Sequence, residues 1–477
     1  MQSNDVAAVI QQAAARAKQI SPNSFIAVVD REGYVLGVWA VGTVPGNAAQ
    51  KSAKIAAVVS KAGTAAFLSS NEEALTSRSA GFIVQQHFPP GINDRAPGPL
   101  VGVNFSNLPF SDVNRFKNPN NGAAIAGTSL AGSPGGVPLY KNGILIGAIG
   151  VTGDGSENIQ VSQSYDTDED IALAGQAGYE SPATITGSNI FIDGIRVAYV
   201  SSGTGVGSSS ATPGAGVAPF LIRGSPSVSY PKATLGGVTG EVRMPIRQDP
   251  ASGTINGQSR LTALEVAQII SFAARRASIT RAGIRLPAGR PAQVFITVVG
   301  NPNAAGAIPP ILGAFRTPDA TIFSWDVAVQ KARTAVFFSN NQRAFSTRTV
   351  GFLAQSLYPP GINNTTPGPF LGLQERYSGF VGFNVLNGAT VNTSPASLPP
   401  NSNLPNGITI FPGGFPLYRN GVLIGAIGVS GDGVDQDDLI AAAGTANFLP
   451  LASIRADTML YRGARLPYAK FPRNPAL

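Results

Sequence analysis

The chain has no cysteine and a single histidine, His87. The first absence excludes disulfides, thiolate zinc sites and cysteine nucleophiles. The second excludes a multi-histidine metal centre within one chain. Any Ser-His-Asp triad would have to use His87, and no Gly-x-Ser-x-Gly elbow is present. Basic residues never run longer than a pair such as Arg275-Arg276. Aromatic and basic residues do not interleave as a single-strand groove requires, so the net charge of +8 does not point to nucleic acid. The longest apolar stretch, about ten residues around Ile144–Val151, is too short to span a bilayer. The N-terminus has no basic region followed by an apolar core, so no signal peptide is expected within this sequence. A periplasmic or extracellular home, reached with a leader since removed, is one expectation, and the cytoplasm is the other.

What is present is glycine (56), proline (37) and recurring apolar runs, which predict a globular chain rich in turns and ordered loops. Its strongest signal is internal repetition. "GGVPLYKNGILIGAIGVTGDG" (Gly135–Gly155) and "GGFPLYRNGVLIGAIGVSGDG" (Gly413–Gly433) agree at 17 of 21 positions. Lys61–Val103 and Lys331–Leu373 agree at 21 of 43 positions with a constant offset of 270. "DEDIALAG" (Asp168–Gly175) meets "DDLIAAAG" (Asp437–Gly444) at an offset of 269. This predicts two repeats, 1–200 and 259–477, joined by a Gly/Ser/Pro-rich linker over 201–258.

Each repeat reads as helix, two strands, helix, long loop, hairpin, helix. Asn142-Gly143 and Asn420-Gly421 supply the positive φ angles of tight hairpin turns. Ile55, Val58, Val59, Ala62, Ala65 and Ala66 share one face of a helix whose small residues suit close packing on a sheet. The acids at Asp168–Asp170 suit a helix N-terminus. The order predicts the α+β class, an antiparallel sheet flanked by helices.

"VVDREGYVLG", "KAGTAAF", the Gly-Gly-x-Pro-Leu string and "DEDIALAGQAG" resemble the GlcG/HbpS family of haem-binding proteins. The C-terminal domain of PduO-type corrinoid adenosyltransferases is similar to that family. The second repeat carries the resemblance through "KARTAVF", its own copy of the string and "DDLIAAAG". The resemblance implies profilin-like α-β-α domains, a tandem able to form the family's dimer within one chain, and haem as a cofactor. It implies oligomers as well, and no ligand transfers by motif.

On that footing His87 is a candidate axial ligand to haem iron, hence a metal-binding residue, or else an ordinary loop histidine. The second repeat has Leu357 there. Tyr358, the partner of Phe88, is a candidate phenolate ligand or a packed aromatic. Lys61, Arg78, Lys331 and Arg348 occupy matched positions, where they would either hold haem propionates or pair with the chain's own acids. The Gly-Asp-Gly ends are read as an anion nest or as turns. No catalytic residue is assigned. The expected function is non-enzymatic binding of haem, a related tetrapyrrole or a small acidic ligand. A self-assembling, exported structural subunit is the alternative, and an enzyme acting on a small acid is a third reading.

Overall fold

The computed structural model describes residues 1–85, 87–92, 95, 98–100, 108, 111–201, 216–283, 286, 289–372 and 405–470. Most of the Gly/Ser stretch, 202–215, and the end of the Pro-rich tail, 471–477, lie outside the described residues. The described residues form two compact units that divide between Val228 and Ser229.

In the first unit, helix α1 (Ser3–Ile20) starts where Asp5 accepts a hydrogen bond from the Gln2 amide. It buries Val6, Val9, Ile10, Ala13 and Ala17, a stripe at helical spacing. Strands β1 (Phe25–Asp30) and β2 (Val35–Ala40) form a hairpin. Asp30 Oδ1 closes its turn by accepting from the Glu32 and Tyr34 amides at 3.0 and 2.9 Å. Helix α2 (Ala48–Leu68) and the short α3 (Ser77–Ile83) follow. Next come β3 (Gly136–Lys141), β4 (Ile144–Thr152) and α4 (Thr167–Gln176). A small hairpin, β5 (Phe191–Ile192) and β6 (Ile195–Arg196), completes the repeat.

The sheet is antiparallel with strand order β2-β1-β4-β3. On one face α1 and α4 cover Ile26, Val28, Leu36, Leu139, Ile149 and Val151. On the other face α2 lies against β4 so closely that a Cβ on Gly150 would sit 2.3 Å from the Val58 carbonyl oxygen. Covered on both faces, β1 is buried along its whole length. Asn142 and Gly143 have φ of 53° and 76°, the left-handed pair that a tight hairpin turn requires.

The second unit repeats this order with α5 (Ala263–Ala277), β9 (Phe295–Gly300), β10 (Ile311–Arg316), α6 (Phe323–Phe337) and α7 (Thr347–Leu353). It ends in β11 (Gly414–Arg419), β12 (Val422–Ser430), α8 (Val434–Gly444) and a hairpin of β13 (Leu460–Tyr461) and β14 (Ala464–Arg465). Gly428 repeats the close approach, 2.0 Å from the Ala328 carbonyl oxygen. Both units are therefore antiparallel sheets between helices, as the α+β reading expects.

The 201–258 segment does not behave as one linker. Its described residues are shared between the two sheets. Val217, Phe220 and Arg223 exchange backbone hydrogen bonds with Val38 and Leu36 along the outer edge of β2. In the second unit β7 (Lys232–Leu235) and β8 (Val238–Met244) form a hairpin whose second strand pairs with β10. That sheet therefore has six strands, in the order β11-β12-β9-β10-β8-β7. The physical reason is the edge: a strand with unpaired amides and carbonyls is satisfied by whatever extended segment lies beside it. The segment also explains why Asp30 has glycine as its counterpart. A Cβ on Gly300 would lie 2.6 Å from Asp249 Oδ2, so a carboxylate from before α5 fills that space, paired to Arg260 at 3.1 Å.

Candidate functional site

The four matched cations are brought together with the acids of the helix after the Gly-Asp-Gly turn. Lys61, on α2, places Nζ 2.8 Å from Asp168 Oδ2 and 3.3 Å from Glu157 Oε1. Arg78, on α3, is fully buried and grips Glu169 through Nε and Nη2 at 2.9 and 3.0 Å. It also donates to the carbonyls of Ser162 and Ser164. The second repeat builds the same pairs. Lys331 Nζ stands 2.8 Å from Asp437 and from the Val429 carbonyl oxygen. Arg348 holds Asp438 at 2.9 Å and Asp435 at 2.7 Å.

These contacts are the pairs with the chain's own acids that form one of the two readings of these cations. Burial works against the Lys61 charge, but Asp168 and Glu157 outweigh it and hold its pKa above the ordinary value. For Arg348 burial is likewise outweighed, first by Asp438. Each cation is matched to carboxylates of its own repeat, so the geometry is that of internal ion pairs rather than a propionate cradle. The partners stand 91 to 107 residues away in the first repeat. The signal available in the sequence was the coincidence itself, matched cations and matched acids in both copies.

The Gly-Asp-Gly ends are turns filled from within. The Gly155 amide donates to Asp168 and the Ser156 amide to Asp166, at 3.2 and 2.8 Å. Asp154 accepts from the Ser21 hydroxyl, and Asp432 from the Gly283 amide. Asp166 caps α4 by accepting from the Glu169 amide. The acids thus neutralise cations, cap a helix and occupy the nest that an outside anion would use.

His87 lies in the loop after α3, partly exposed. Its Nδ1 is 3.0 Å from the Arg95 carbonyl oxygen. A carbonyl only accepts, so Nδ1–H donates, and in the neutral ring the lone pair is then on Nε2. The next residue, Phe88, packs edge-on against Phe82 with centroids 5.5 Å apart. Tyr358 is buried among Phe352 and Tyr461, and its hydroxyl donates to the Tyr461 carbonyl oxygen at 3.2 Å. Burial pushes its pKa up, so a phenolate ligand is disfavoured there.

Against haem, the group the resemblance implies, the residues fit unevenly. His87 offers one imidazole nitrogen with its tautomer fixed by a second partner, as iron ligation needs. Leu357 offers nothing equivalent. Lys61, Arg78, Lys331, Arg348 and Tyr358 are all engaged elsewhere.

A family model described as "Haem degrading protein HbpS-like" matches residues 1–175 and 309–446. No curated protein matches the sequence. Among solved structures, the chain is similar to PduOC in its heme complex, at 24% identity over 39% of this chain and 94% of that one, with a TM-score of 0.25. It is similar to the Klebsiella pneumoniae protein ORFY at 22% identity, over 41% and 93% of the two chains, with a TM-score of 0.26. For a double mutant of Streptomyces reticuli HbpS the values are 20%, 42%, 96% and 0.24.

Proposed function

The chain belongs to the HbpS-like family, and on that premise we propose that it is a non-enzymatic binding protein for haem or a related tetrapyrrole, with its site in the first repeat. The family match in both repeats carries this reading, and His87 gives it an atom. Haem, when bound, supplies the iron. The chain supplies Nε2 of His87, held in the ligating tautomer by the Arg95 carbonyl, and the Phe82–Phe88 pair as apolar surface beside it. The family description names degradation, and binding is the step that must precede it. His87 can serve that step without a second titratable group.

Hemin titration of the full chain tests the reading. The expected result is a saturable Soret shift at micromolar hemin, strongly weakened in His87→Ala. A wild-type protein that gives no shift overturns it. One observation favours a structural role for the rest of the chain. The second repeat keeps the buried ion pairs of the first but has Leu357 in place of a ligand. Self-assembly would show as an oligomer in size-exclusion chromatography with light scattering, and a strict monomer would count against it.

A further inference from the structure

The two repeats carry the same Pro-Pro-Gly-Ile-Asn loop and close it with the same backbone bonds. Ile92 N donates to the Pro89 carbonyl, Gly98 N to Gln85 and Leu100 N to Ile83, at 3.3, 2.8 and 3.2 Å. In the second repeat Ile362 N donates to Pro359, Gly368 N to Gln355 and Phe370 N to Leu353, at 3.3, 2.9 and 3.0 Å. In the first repeat a side chain bonds within the loop, His87 Nδ1 to the Arg95 carbonyl; among the described residues, a side-chain lock from the small hairpin to the loop is found in the second repeat. Arg462, in the turn of the β13–β14 hairpin, donates through Nη1 to Thr366 Oγ1 and to the Pro367 carbonyl oxygen, both at 2.9 Å. Its guanidinium lies 5.2 Å from the Tyr461 ring centroid. Tyr461 in turn stacks edge-on against Tyr358 at 5.3 Å and accepts the Tyr358 hydroxyl on its carbonyl.

Two acceptors of this lock are backbone carbonyls, and its four side chains are ones that the first repeat lacks. Phe88 stands for Tyr358, Ala96 for Thr366, Ile192 for Tyr461 and Asp193 for Arg462. Arg462 is also in the wrong place by local rules. Its φ is +48°, in a turn position where asparagine, aspartate and glycine are favoured, and Asp193 fills the matching position at +51°. An arginine held in a left-handed turn is a local cost, and such outliers persist where the surrounding structure has a use for them.

We propose that this lock decides which repeat binds ligand: the second repeat is a closed copy, fastened across its loop, and the first, with none of the four lock residues, is the haem-binding copy. The assignment rests on the haem reading above. It predicts one hemin per chain, and it makes restoring a histidine at position 357 insufficient by itself.

The full chain is tested in two arms. In hydrogen exchange, the amides of Ile362, Gly368 and Phe370 should exchange about tenfold more slowly than those of Ile92, Gly98 and Leu100. The Tyr358→Phe/Arg462→Asp variant, which installs the first repeat's own residues, should erase that difference. Equal protection in the wild type, or protection unchanged in the variant, overturns the lock. In hemin titration, the wild type and Leu357→His should each bind one equivalent. Leu357→His combined with Tyr358→Phe and Arg462→Asp should bind two. Two equivalents in Leu357→His alone, or one in the triple variant, overturns the division of roles. If the wild type binds no hemin, the haem reading fails together with the assignment of a binding copy, while the exchange arm still decides whether the lock exists.

Discussion

Lys61 Nζ and Asp168 Oδ2 stand 2.8 Å apart, and neither side chain reaches solvent. A buried pair of this kind is weak evidence for added stability, but its halves depend on each other. Lys61→Met leaves a carboxylate stranded in the interior and should cost the first unit about 3–5 kcal/mol. Lys61→Met/Asp168→Leu, which removes both charges, should recover most of the loss. Urea unfolding followed through Trp39 fluorescence in a Trp325→Phe background reports the first unit alone. Equal stability of the single variant and the wild type would refute the coupling.

Asp30 gives a pH prediction. Burial raises its pKa to about 6, against 3.8 for the ordinary side chain, despite the amides of Tyr34 and Glu32 that favour the anion. The folded unit therefore keeps a proton that the unfolded chain has released across this window. Stability must fall as pH rises from about 4 to 6, by up to about 3 kcal/mol. Asp30→Asn should flatten that part of the profile, measured as the difference in urea midpoint between the two proteins at pH 4, 5, 6 and 7. A parallel pair of profiles would show that Asp30 does not titrate there.

Gly63 faces the Phe116 ring. A Cβ at Gly63 would lie 1.7 Å from Phe116 Cε1, and that ring is stacked on Phe67 with centroids 5.0 Å apart. Gly63→Ala should therefore destabilise the first unit by about 1–3 kcal/mol through overpacking. Adding Phe116→Leu should return part of it. An alanine tolerated without loss in thermal unfolding would mean that the ring has room to move. The second repeat solves the same position differently, with Arg333 bonded to the Asn406 side chain.

Arg243 fastens the extra hairpin of the second sheet. Its guanidinium lies 3.6 Å from the Tyr230 ring centroid and 4.8 Å from that of Trp325, and it pairs with Glu241 at 2.8 Å. Desolvated cation–π contacts contribute about 2 kcal/mol. Arg243→Met should accordingly speed amide exchange in Lys232–Met244 while leaving β12 protected. Unchanged exchange in the hairpin would place its anchorage in the backbone pairing with β10 instead.

The features carried by local patterning were legible in the sequence. The constant offset exposed the duplication, the Asn-Gly pairs marked both hairpin turns, and the Ile55–Ala66 face is buried as its spacing predicts. The acids at Asp168–Asp170 do begin a helix. Which acid Lys61 pairs with was not legible, because nothing local links residues 107 apart and the matched cations and acids offered pairing only as one of two readings. Strands β7 and β8 were missed for another reason. Lys232–Leu235 does alternate and runs into a Gly236-Gly237 turn, but the two strands are mostly half-buried or exposed and sit in a Pro-punctuated stretch that reads as linker. Arg462 was passed over because a lone exposed arginine carries no pattern, and its position in a left-handed turn is visible only in the backbone.

The sharing of the connecting segment between two sheets changes where the chain can be divided. A cut in the Gly/Ser stretch, the obvious place by composition, would separate β2 from Val217, Phe220 and Arg223, whose backbone bonds close its edge. The first repeat would leave that cut with an open, adhesive strand. The seam that respects both sheets falls after Val228, where each half keeps the strip that seals it.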